Sequence, residues 1–569
     1  MSEHEKRLTL VACILASIVV FLDGSVVNVA LPAIRADVHA GLATQQWVVE
    51  AYLLTLGSLI LAGGSYADIR GRRHSLTLGV TLFAGTSLAC AAAPSAPLLV
   101  AGRALQGAAG AILVPASLAI LTATYADQRE RGAAIGTWTA WTGIAFIIGP
   151  LAGGTIVDVI SWRGVFAINL PIAALTLWIA RGAVRESRNP NAGAIDSPAA
   201  FLSMVWLGGV VLALIEQPAH GWSDPVVWAP LAAAALALAA FLRREAHHPD
   251  PMLPLELFRV RNFTVVNAAT LTIYGGLGAL TFFLVIFLQQ VGGYSAIDAG
   301  LALTPTTVVM FLLSRRFGAL AMQIGPRLPM SVGPLLGGAG LFLLRDVGNQ
   351  PDYATEVLPA LLLFAFGLSM TVAPLTATVL SSVGQERAGI ASGVNNAVAR
   401  VAGLLAIAVV GAVVSSSFRA VLDHKLPPPA LAEARSQPLV THVPNAVPAA
   451  RRAQAKAALV DAGVHGFRSG ITLAALLVGA GGLISAAGLR NEPRQSDSIT
   501  AASARASGAR ATGATRSRWT SRSTCAGSSR PVRAVRAGRC GRARTCRRSR
   551  PSGRRSCPTG RSSAGRRCA

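Results

Sequence analysis

Long apolar runs separated by short polar stretches dominate the chain as far as residue 489. Crossing about 30 Å of hydrocarbon takes about 20 residues of α-helix, because each residue advances about 1.5 Å. Fourteen runs meet or approach that length: 8–31, 47–67, 74–94, 98–121, 132–154, 164–181, 199–216, 227–242, 263–288, 298–314, 328–345, 355–380, 389–414 and 467–489. In lipid each backbone N–H must find a carbonyl within its own segment, so such runs predict helices and not strands. The first run is too long, and too acidic at its centre (Asp23), for a cleaved leader, and no small-residue cleavage motif follows it. It is expected to remain as a span.

Basic residues orient the spans. With the N-terminus in the cytoplasm, inner segments before residue 490 hold 18 Lys and Arg, from Lys6 and Arg7 through Arg387, and the short outer loops hold three, Arg35, Arg163 and Arg345. That asymmetry follows the positive-inside rule and suits an even number of spans, with both termini cytoplasmic. The long stretch 415–466 falls outside, where its charges carry little weight in that rule. Polar, proline-bearing stretches at 185–198 and 243–262 divide the spans six, two and six. The expected organisation is a six-helix bundle (8–182), a linker with two extra spans (183–262), a second six-helix bundle (263–489) and a tail (490–569). Transporters built from repeats place their site between the halves, near the midplane.

Composition changes this picture only at the end of the chain. Hydrophobic residues make up 52% of the 569 and charged residues 14%, against about 25% charged in soluble domains. The net charge of +25 would suggest nucleic acid, but residues 490–569 hold 21 Arg, no Lys and two acids, Glu492 and Asp497. The tail therefore carries +19 and the body only +6, so nucleic acid is not expected as a partner. Of seven cysteines only Cys13 and Cys90 lie in the body, with no disulfide or metal spacing. The lysines, Lys6, Lys425 and Lys456, sit in no phosphate-binding GxxxxGK[ST] context. No nucleophile–base arrangement appears in the body either, so an enzyme is not expected. No cofactor is needed, and the available energy source is the proton gradient.

Charged residues inside spans carry the chemistry, because an ionised group at the bilayer centre costs several kcal/mol on insertion scales. Asp23 sits mid-span in Phe21-Leu22-Asp23-Gly24-Ser25-Val26-Val27-Asn28. It reads as a titrating carboxylate tuned by desolvation, able to hold a proton in one state and a cationic substrate in another. A structural hydrogen-bonder is the plainer alternative. Arg103, with Gln106 and Gly107 one turn on, is a fixed positive charge that can bias a nearby acid or simply pair with one. Arg400, in Asn395-Asn396-Ala397-Val398-Ala399-Arg400, is a fainter counterpart. Glu50 and Glu216 lie near the outer ends of their spans, as substrate or proton acids or as side chains reaching the interface. Gly64-Ser65-Tyr66-Ala67-Asp68-Ile69-Arg70-Gly71-Arg72-Arg73 ends the second span on a tight turn where Gly71 permits positive φ. Asp68, Arg70, Arg72 and Arg73 there predict a latch, with Asp68 available to an arginine or a helix N-terminus, or else a topology anchor. In the fifth span Gly143, Gly149, Pro150, Gly153 and Gly154 predict close helix approach and a bend.

Together these segments resemble the major facilitator superfamily, specifically its fourteen-helix drug:proton antiporter family. Asp23 through Pro32 is similar to that family's first-helix motif, and Gly64 through Arg73 to the superfamily's signature loop. Arg103-Ala104-Leu105-Gln106-Gly107 resembles the fourth-helix motif, whose arginine the family uses in proton coupling. Gly149-Pro150 with Gly153-Gly154 resembles the exporters' antiporter motif. Ser161-Trp162-Arg163-Gly164-Val165-Phe166-Ala167-Ile168-Asn169-Leu170-Pro171 and Gln289-Gln290-Val291-Gly292-Gly293-Tyr294-Ser295, with Gly300 and Pro305, match further family stretches. The resemblance covers about residues 8–489. It implies an all-α polytopic membrane protein with the major facilitator fold: two six-helix bundles, a two-helix insert and a disordered basic tail.

Three departures stand out. The second-half echo of the signature loop, Gly318 through Arg327, has no acid, so that half should lack a charged latch. Arg315-Arg316 blurs the end of the tenth span, and Gly24-Ser25 stand where bulkier or hydroxyl neighbours are expected. The tail, rich in Arg, Ser, Gly and Ala, resembles nothing in the family. Its composition predicts disorder, and a shifted reading frame near residue 495 is the plainest origin for it. The expected function is a bacterial plasma-membrane antiporter that expels amphipathic, cationic or antibiotic-like small molecules in exchange for protons, as a monomer among membrane lipids. Export of one metabolite, such as a self-made antibiotic, siderophore, amino acid or lipid, is the rival within transport. A non-transporting sensor or scaffold is the rival outside it.

Overall fold

The computed structural model describes residues 1–491, apart from 39–40, 190–194, 250, 384–387, 424, 426–429, 432–433, 435–437 and 444–446. The basic tail and Arg387 lie outside the described residues. Met1–Glu492 form one compact unit. Among its described residues, fourteen helices are long and apolar enough to cross a membrane: α1 Glu3–Val38, α2 Leu42–Arg70, α3 Arg72–Ala91, α4 Ala96–Thr124, α5 Glu130–Val159, α6 Gly164–Ala183, α7 Ser197–His220, α8 Pro225–His247, α9 Arg261–Gln290, α10 Ala296–Ile324, α11 Arg327–Asp346, α12 Tyr353–Ser381, α13 Ile390–Leu422 and α14 Ala449–Gly488.

Each apolar run became one helix, and the bounds moved where polar residues continue a helical turn. The first run extends back to Glu3 and on to Val38, and the last begins at Ala449 instead of 467. The tenth helix passes straight through Arg315 and Arg316 to Ile324, so these arginines are helical and exposed, not the end of the span. α6 breaks at Ile168 before resuming at Asn169. Local chemistry sets several starts: the Asp196 carboxylate accepts from the Ala199 amide at 3.0 Å and Asp224 from Val226 at 2.9 Å, each with a proline in the first turn.

Successive helices run in opposite directions, so Glu3 and Gly488 share one end of the bundle, called here the terminal end. α1–α6 pack among themselves, chiefly α2 on α4, α3 on α4 and α1 on α5; α9–α14 do likewise, chiefly α9 on α14, α11 on α12 and α14, and α10 on α12. The two groups meet through α5 with α10, α2 with α13 and α1 with α9. α7 and α8 pair with each other, and α7 lies along the α2–α13 seam. Behind it an apolar cavity of about 380 Å³ is lined by Gly57, Trp206, Leu207, Phe241 and Val398, among others.

The buried side chains reveal which end is closed. One apolar cluster joins both groups at the distal end, from Val26, Ile34 and Val49 to Ile286, Phe287, Val410 and Phe467. Toward the terminal end the core divides in two. Leu76, Phe83, Leu113, Ile120 and Ala180 belong to the first six helices, and Phe263, Met330, Leu375, Val394 and Leu489 to the last six. The groups are therefore fused distally and parted toward the termini.

Small residues make the distal closure possible. A Cβ on Gly154 would lie 2.6 Å from Ile297 Cα and 2.7 Å from the Ala296 carbonyl oxygen, so α5 and α10 touch backbone to backbone. Gly153 is held against the side chain and carbonyl of Val26 on α1, and Gly149 against the Ser25 side chain. Gly143 departs from the expected close approach: nothing would lie within 4 Å of a Cβ there. α5 has left its neighbours by that turn, on the way to the open end.

Candidate transport site

Asp23 sits in α1 with no exposed surface, and Arg103 in α4 with 1%. The two form an ion pair through Arg103 Nη1 and Asp23 Oδ2. Gln106, one turn beyond Arg103 on the same helix face, accepts from Arg103 Nη1 at 2.6 Å and donates to Asp23 Oδ1 at 2.9 Å and to Ser87 Oγ at 2.8 Å. Asn169, the first residue after the break in α6, donates to Asp23 Oδ1 at 2.9 Å and to Ser87 at 3.2 Å. Both carboxylate oxygens are thus occupied by donors from α4 and α6.

The guanidinium is equally well held. Arg103 Nε donates to the Val48 carbonyl at 2.9 Å, and its Cζ lies 4.2 Å from the centre of the Tyr52 ring and 5.7 Å from that of Phe166. Tyr52 is fixed in turn by donating to the Val20 carbonyl at 2.9 Å. Removing one member of such a buried pair leaves the other uncompensated, at about 3–5 kcal/mol. Gly107 lets this happen, because α2 passes close enough that a Cβ would strike the Tyr52 carbonyl and Thr55.

Sequence reasoning singled out Asp23, Arg103 and Gln106, and the fold joins them. Ser87 and Asn169 were not singled out as site residues. Both are neutral and small: Asn169 lies in the stretch Ser161 through Pro171 that carries part of the family resemblance, and Ser87 offers only a hydroxyl inside an apolar run.

Glu50 presents a different case. It is fully buried in α2, and neither carboxyl oxygen has a hydrogen-bond partner among the described residues. One turn earlier on the same helix Gln46 donates to the Ile407 carbonyl of α13 at 3.1 Å, and two turns later Gly57 faces Arg400 and Val401. Glu50 thus lies in the seam between α2 and α13. Glu216 is not brought to the centre: it sits at the distal end of α7, half-buried, 3.5 Å from His220.

At the terminal end the α2–α3 turn is a single residue, Gly71, with φ +118°. Asp68 accepts from Arg72 Nε at 2.9 Å and Nη2 at 2.8 Å, a two-pronged pair on the side of the turn. The helix N-terminus beyond the turn takes Glu186 instead, whose oxygens accept from the Arg73 and His74 amides at 3.0 Å. Arg73 Nη2 also reaches the Arg181 carbonyl at 3.1 Å, and Arg70 ends α2. Gly64 packs against Pro115 of α4. The latch thus ties α2 and α3 to the segment after α6.

The last six helices repeat this device without charge. Gly325, φ +87°, forms the α10–α11 turn, and Asn491, just after α14, accepts from the Arg327 amide at 3.2 Å. Asn491 occupies the place relative to Gly325 that Glu186 occupies relative to Gly71. Among the described residues no acid caps this turn as Glu186 caps the first.

The family profile described as Major Facilitator Superfamily matches residues 13–407. Multidrug resistance protein Stp of Mycobacterium tuberculosis is 34% identical over 436 residues, covering 77% of this chain and 80% of its own. The puromycin resistance protein of Streptomyces alboniger is 35% identical, covering 74% and 84%. The tetracenomycin C resistance and export protein of Streptomyces glaucescens is 32% identical, covering 84% and 90%. In three dimensions the chain is similar to a bacterial homolog of the human lysosomal transporter Spinster in an inward-facing, unoccupied conformation, with a TM-score of 0.61 at 17% identity over 86% of this chain and 97% of that one. With fourteen helices able to span a membrane and relatives named for drug resistance and export, the chain is a multi-pass membrane protein that belongs to the Major Facilitator Superfamily, a family of transporters and not of enzymes.

Proposed function

We propose that the protein is a proton-coupled antiporter that exports amphipathic, antibiotic-like small molecules across a bacterial plasma membrane, with both termini in the cytoplasm. The observation that carries this reading is the closed network around Asp23: a carboxylate with no exposure, held by Arg103, Gln106 and Asn169. An acid in that position is expensive unless its charge is used. On this reading the parted terminal end faces the cytoplasm. Asp23 has given its proton inward and Arg103 compensates the charge left behind.

Opening the distal end parts α5 from α10 and α1 from α9, which on this reading lets water reach the Asp23–Arg103 pair from outside. Asp23 then takes a proton from outside in place of its arginine, and substrate leaves. Each charge moved across 100 mV carries about 2.3 kcal/mol, enough to drive concentration against a gradient. Asp68 with Arg72 braces the α2–α3 turn during this motion. Gly149, Pro150, Gly153 and Gly154 keep α5 tight on α1 and α10, so that the distal side does not leak while the terminal side is open.

Substrate-driven proton movement in proteoliposomes of the full chain tests this reading, with wild type compared with Asp23→Asn under an imposed pH gradient. Proton flux in wild type that vanishes in the variant is the expected result. Flux undiminished in Asp23→Asn would refute it. A second reading, export of a single metabolite, draws support from relatives named for one antibiotic each, such as the cephamycin export protein of Amycolatopsis lactamdurans. A broad compound panel separates the two: one active compound among many favours the second.

A further inference from the structure

The charges between the helix ends are unequal in their access to solvent. Asp23 and Arg103 neutralise each other and are sealed, and Glu50 is closed within the α2–α13 seam. Arg400 is different. It is half-buried on α13 and reaches across to the first six helices, where its Cζ lies 5.5 Å from the centre of the Phe21 ring of α1. Phe21 stands edge-on to Trp138 of α5, with centroids 6.4 Å apart. Among the described residues Arg400 makes no ion pair and no hydrogen bond, and a guanidinium cannot relieve its charge by losing a proton.

Its neighbours form a place for a ligand. Asn396 lies one turn toward the terminal end on the same face of α13, and its side chain is exposed. Gly57 of α2 lies alongside the Arg400 stem, with 3.8 Å between the Arg400 Cβ and a Cβ built at that glycine. One turn on, Leu61 of α2 faces Gly393 across 3.8 Å measured in the same way. The polar pair Asn395 and Asn267, joined at 3.1 Å, keeps α13 against α9 behind this face. Arg400 is thus a half-buried permanent cation between Phe21 of α1 and Gly57 of α2, and Asn396, exposed one turn nearer the terminal end, spends one amide hydrogen on the Ser392 carbonyl at 3.1 Å and keeps the other for a ligand.

We propose that Arg400, with Asn396, is the head-group site for the exported molecule, and that the substrate is an organic anion, a carboxylate on an apolar body. The inference rests on the export reading above. It reverses the sign expected from Asp23: that expectation needed the carboxylate to face the cavity, and both of its oxygens are occupied by protein donors. Arg400 binds the anion by charge-assisted hydrogen bonds, and the aromatic and aliphatic walls take the apolar remainder.

Two forms of one fluorophore provide the test: dansylglycine, an anion through its carboxylate, and its neutral methyl ester. Fluorescence anisotropy of each with the full-length protein in detergent measures binding independently of transport. The carboxylate dye should bind about ten-fold or more tightly than the ester. Arg400→Gln should abolish that preference while leaving ester binding in place, and Arg400→Lys should retain much of it. Binding of neither dye, equal affinity for both, or a preference that survives Arg400→Gln overturns the proposal. Should Arg400→Gln fail to fold, loss of the preference in Asn396→Leu supports the proposal and its persistence in that variant counts against it. Flux under a pH gradient separates the two readings. A carboxylate preference without proton-driven flux leaves the anion site standing and removes antiport, whereas proton-driven flux of the ester with no carboxylate preference does the reverse.

Discussion

Gly154→Val should push the protein toward the state in which the distal end is open. A Cβ at this position would lie 2.6 Å from Ile297 Cα, 2.8 Å from Ile297 N and 2.7 Å from the Ala296 oxygen. Carbon atoms pack comfortably at about 3.5–4.0 Å, so α10 must retreat by roughly an ångström, and the obstacle is backbone that no rotamer change can move aside. Overpacking of this kind costs about 1–3 kcal/mol. The clash exists only while α5 and α10 are pressed together, so the cost falls on one state and shifts the ratio of distal-closed to distal-open by about 5- to 150-fold. Spin labels on Val159 and Leu301, both exposed near the distal contact, would report it by electron–electron distance measurement. The distance distribution should lengthen in Gly154→Val, while a pair at Thr137 and Met322 toward the terminal end should shorten. Gly143→Ala is the control, because its Cβ enters open space and should move neither distribution. An unchanged distal distance in folded Gly154→Val, or an equal shift in Gly143→Ala, would refute the view that backbone contact at this seam holds the distal end shut.

Asp23→Asn alone should lower the stability of the purified protein by about 3–5 kcal/mol, since Arg103 is left buried without its counter-ion; adding Arg103→Gln should recover much of that in thermal melting but none of the proton coupling. Glu50→Gln supplies a neutral side chain where a carboxyl is buried without a partner. The variant should melt at or above the wild-type temperature, because an amide costs less than an ionisable group to bury without a partner, and a clear fall in melting temperature would refute that reading of the site. At Asp196, burial works to raise the carboxyl's pKa, but the Ala199 amide and the Arg244 guanidinium outweigh it and hold the group below the ordinary carboxylate range. That contact therefore stabilises the start of α7 above the unfolded value of about 3.9 and is lost as pH falls through the lower folded value. Amide exchange in the first turn of α7 should accelerate in Asp196→Ala at neutral pH, and the difference from wild type should vanish under strong acid.

The parts of this molecule that could be read from its sequence are those where lipid leaves no choice. A run of twenty apolar residues has one way to satisfy its backbone, so fourteen helices followed from fourteen runs. Asp23 and Arg103 had to face protein, and the only stable arrangement for two opposite charges in that setting is each other. What could not be read depends on neutral groups and on direction. Ser87 and Asn169 complete the network around Asp23, yet an amide or hydroxyl in an apolar helix reads alike whether it meets a carboxylate or its own backbone four residues back. Glu186 lies in a polar linker where any acid would look solvated, and only the return of that linker to the α2–α3 turn makes it a cap. Gly143 and Gly154 are indistinguishable in sequence, and their difference arises from the divergence of α5 from its neighbours between them.

The same comparison separates the tasks of the two helical groups. The first six helices hold the buried charge pair, Asp23 with Arg103, and Asp68 with Arg72 at the turn, whereas the pairs of the last six, Lys425 with Asp461 and Arg345 with Asp346, lie exposed at the distal end. The corresponding turn of the last six is built from Gly325 and neutral Asn491, and the polar contact between α9 and α13 is an amide pair, Asn267 with Asn395. A change in protonation therefore alters the internal energy of the first group far more than that of the second. Two groups joined only at one end need just such an inequality, because a proton that acted equally on both would leave their relative preference unchanged. Arg400 places a charge of the second group inside the membrane-spanning part, where it leans across onto Phe21 of the first. A charge there is sensed by both groups at once, and a ligand bound to it changes the attraction between them.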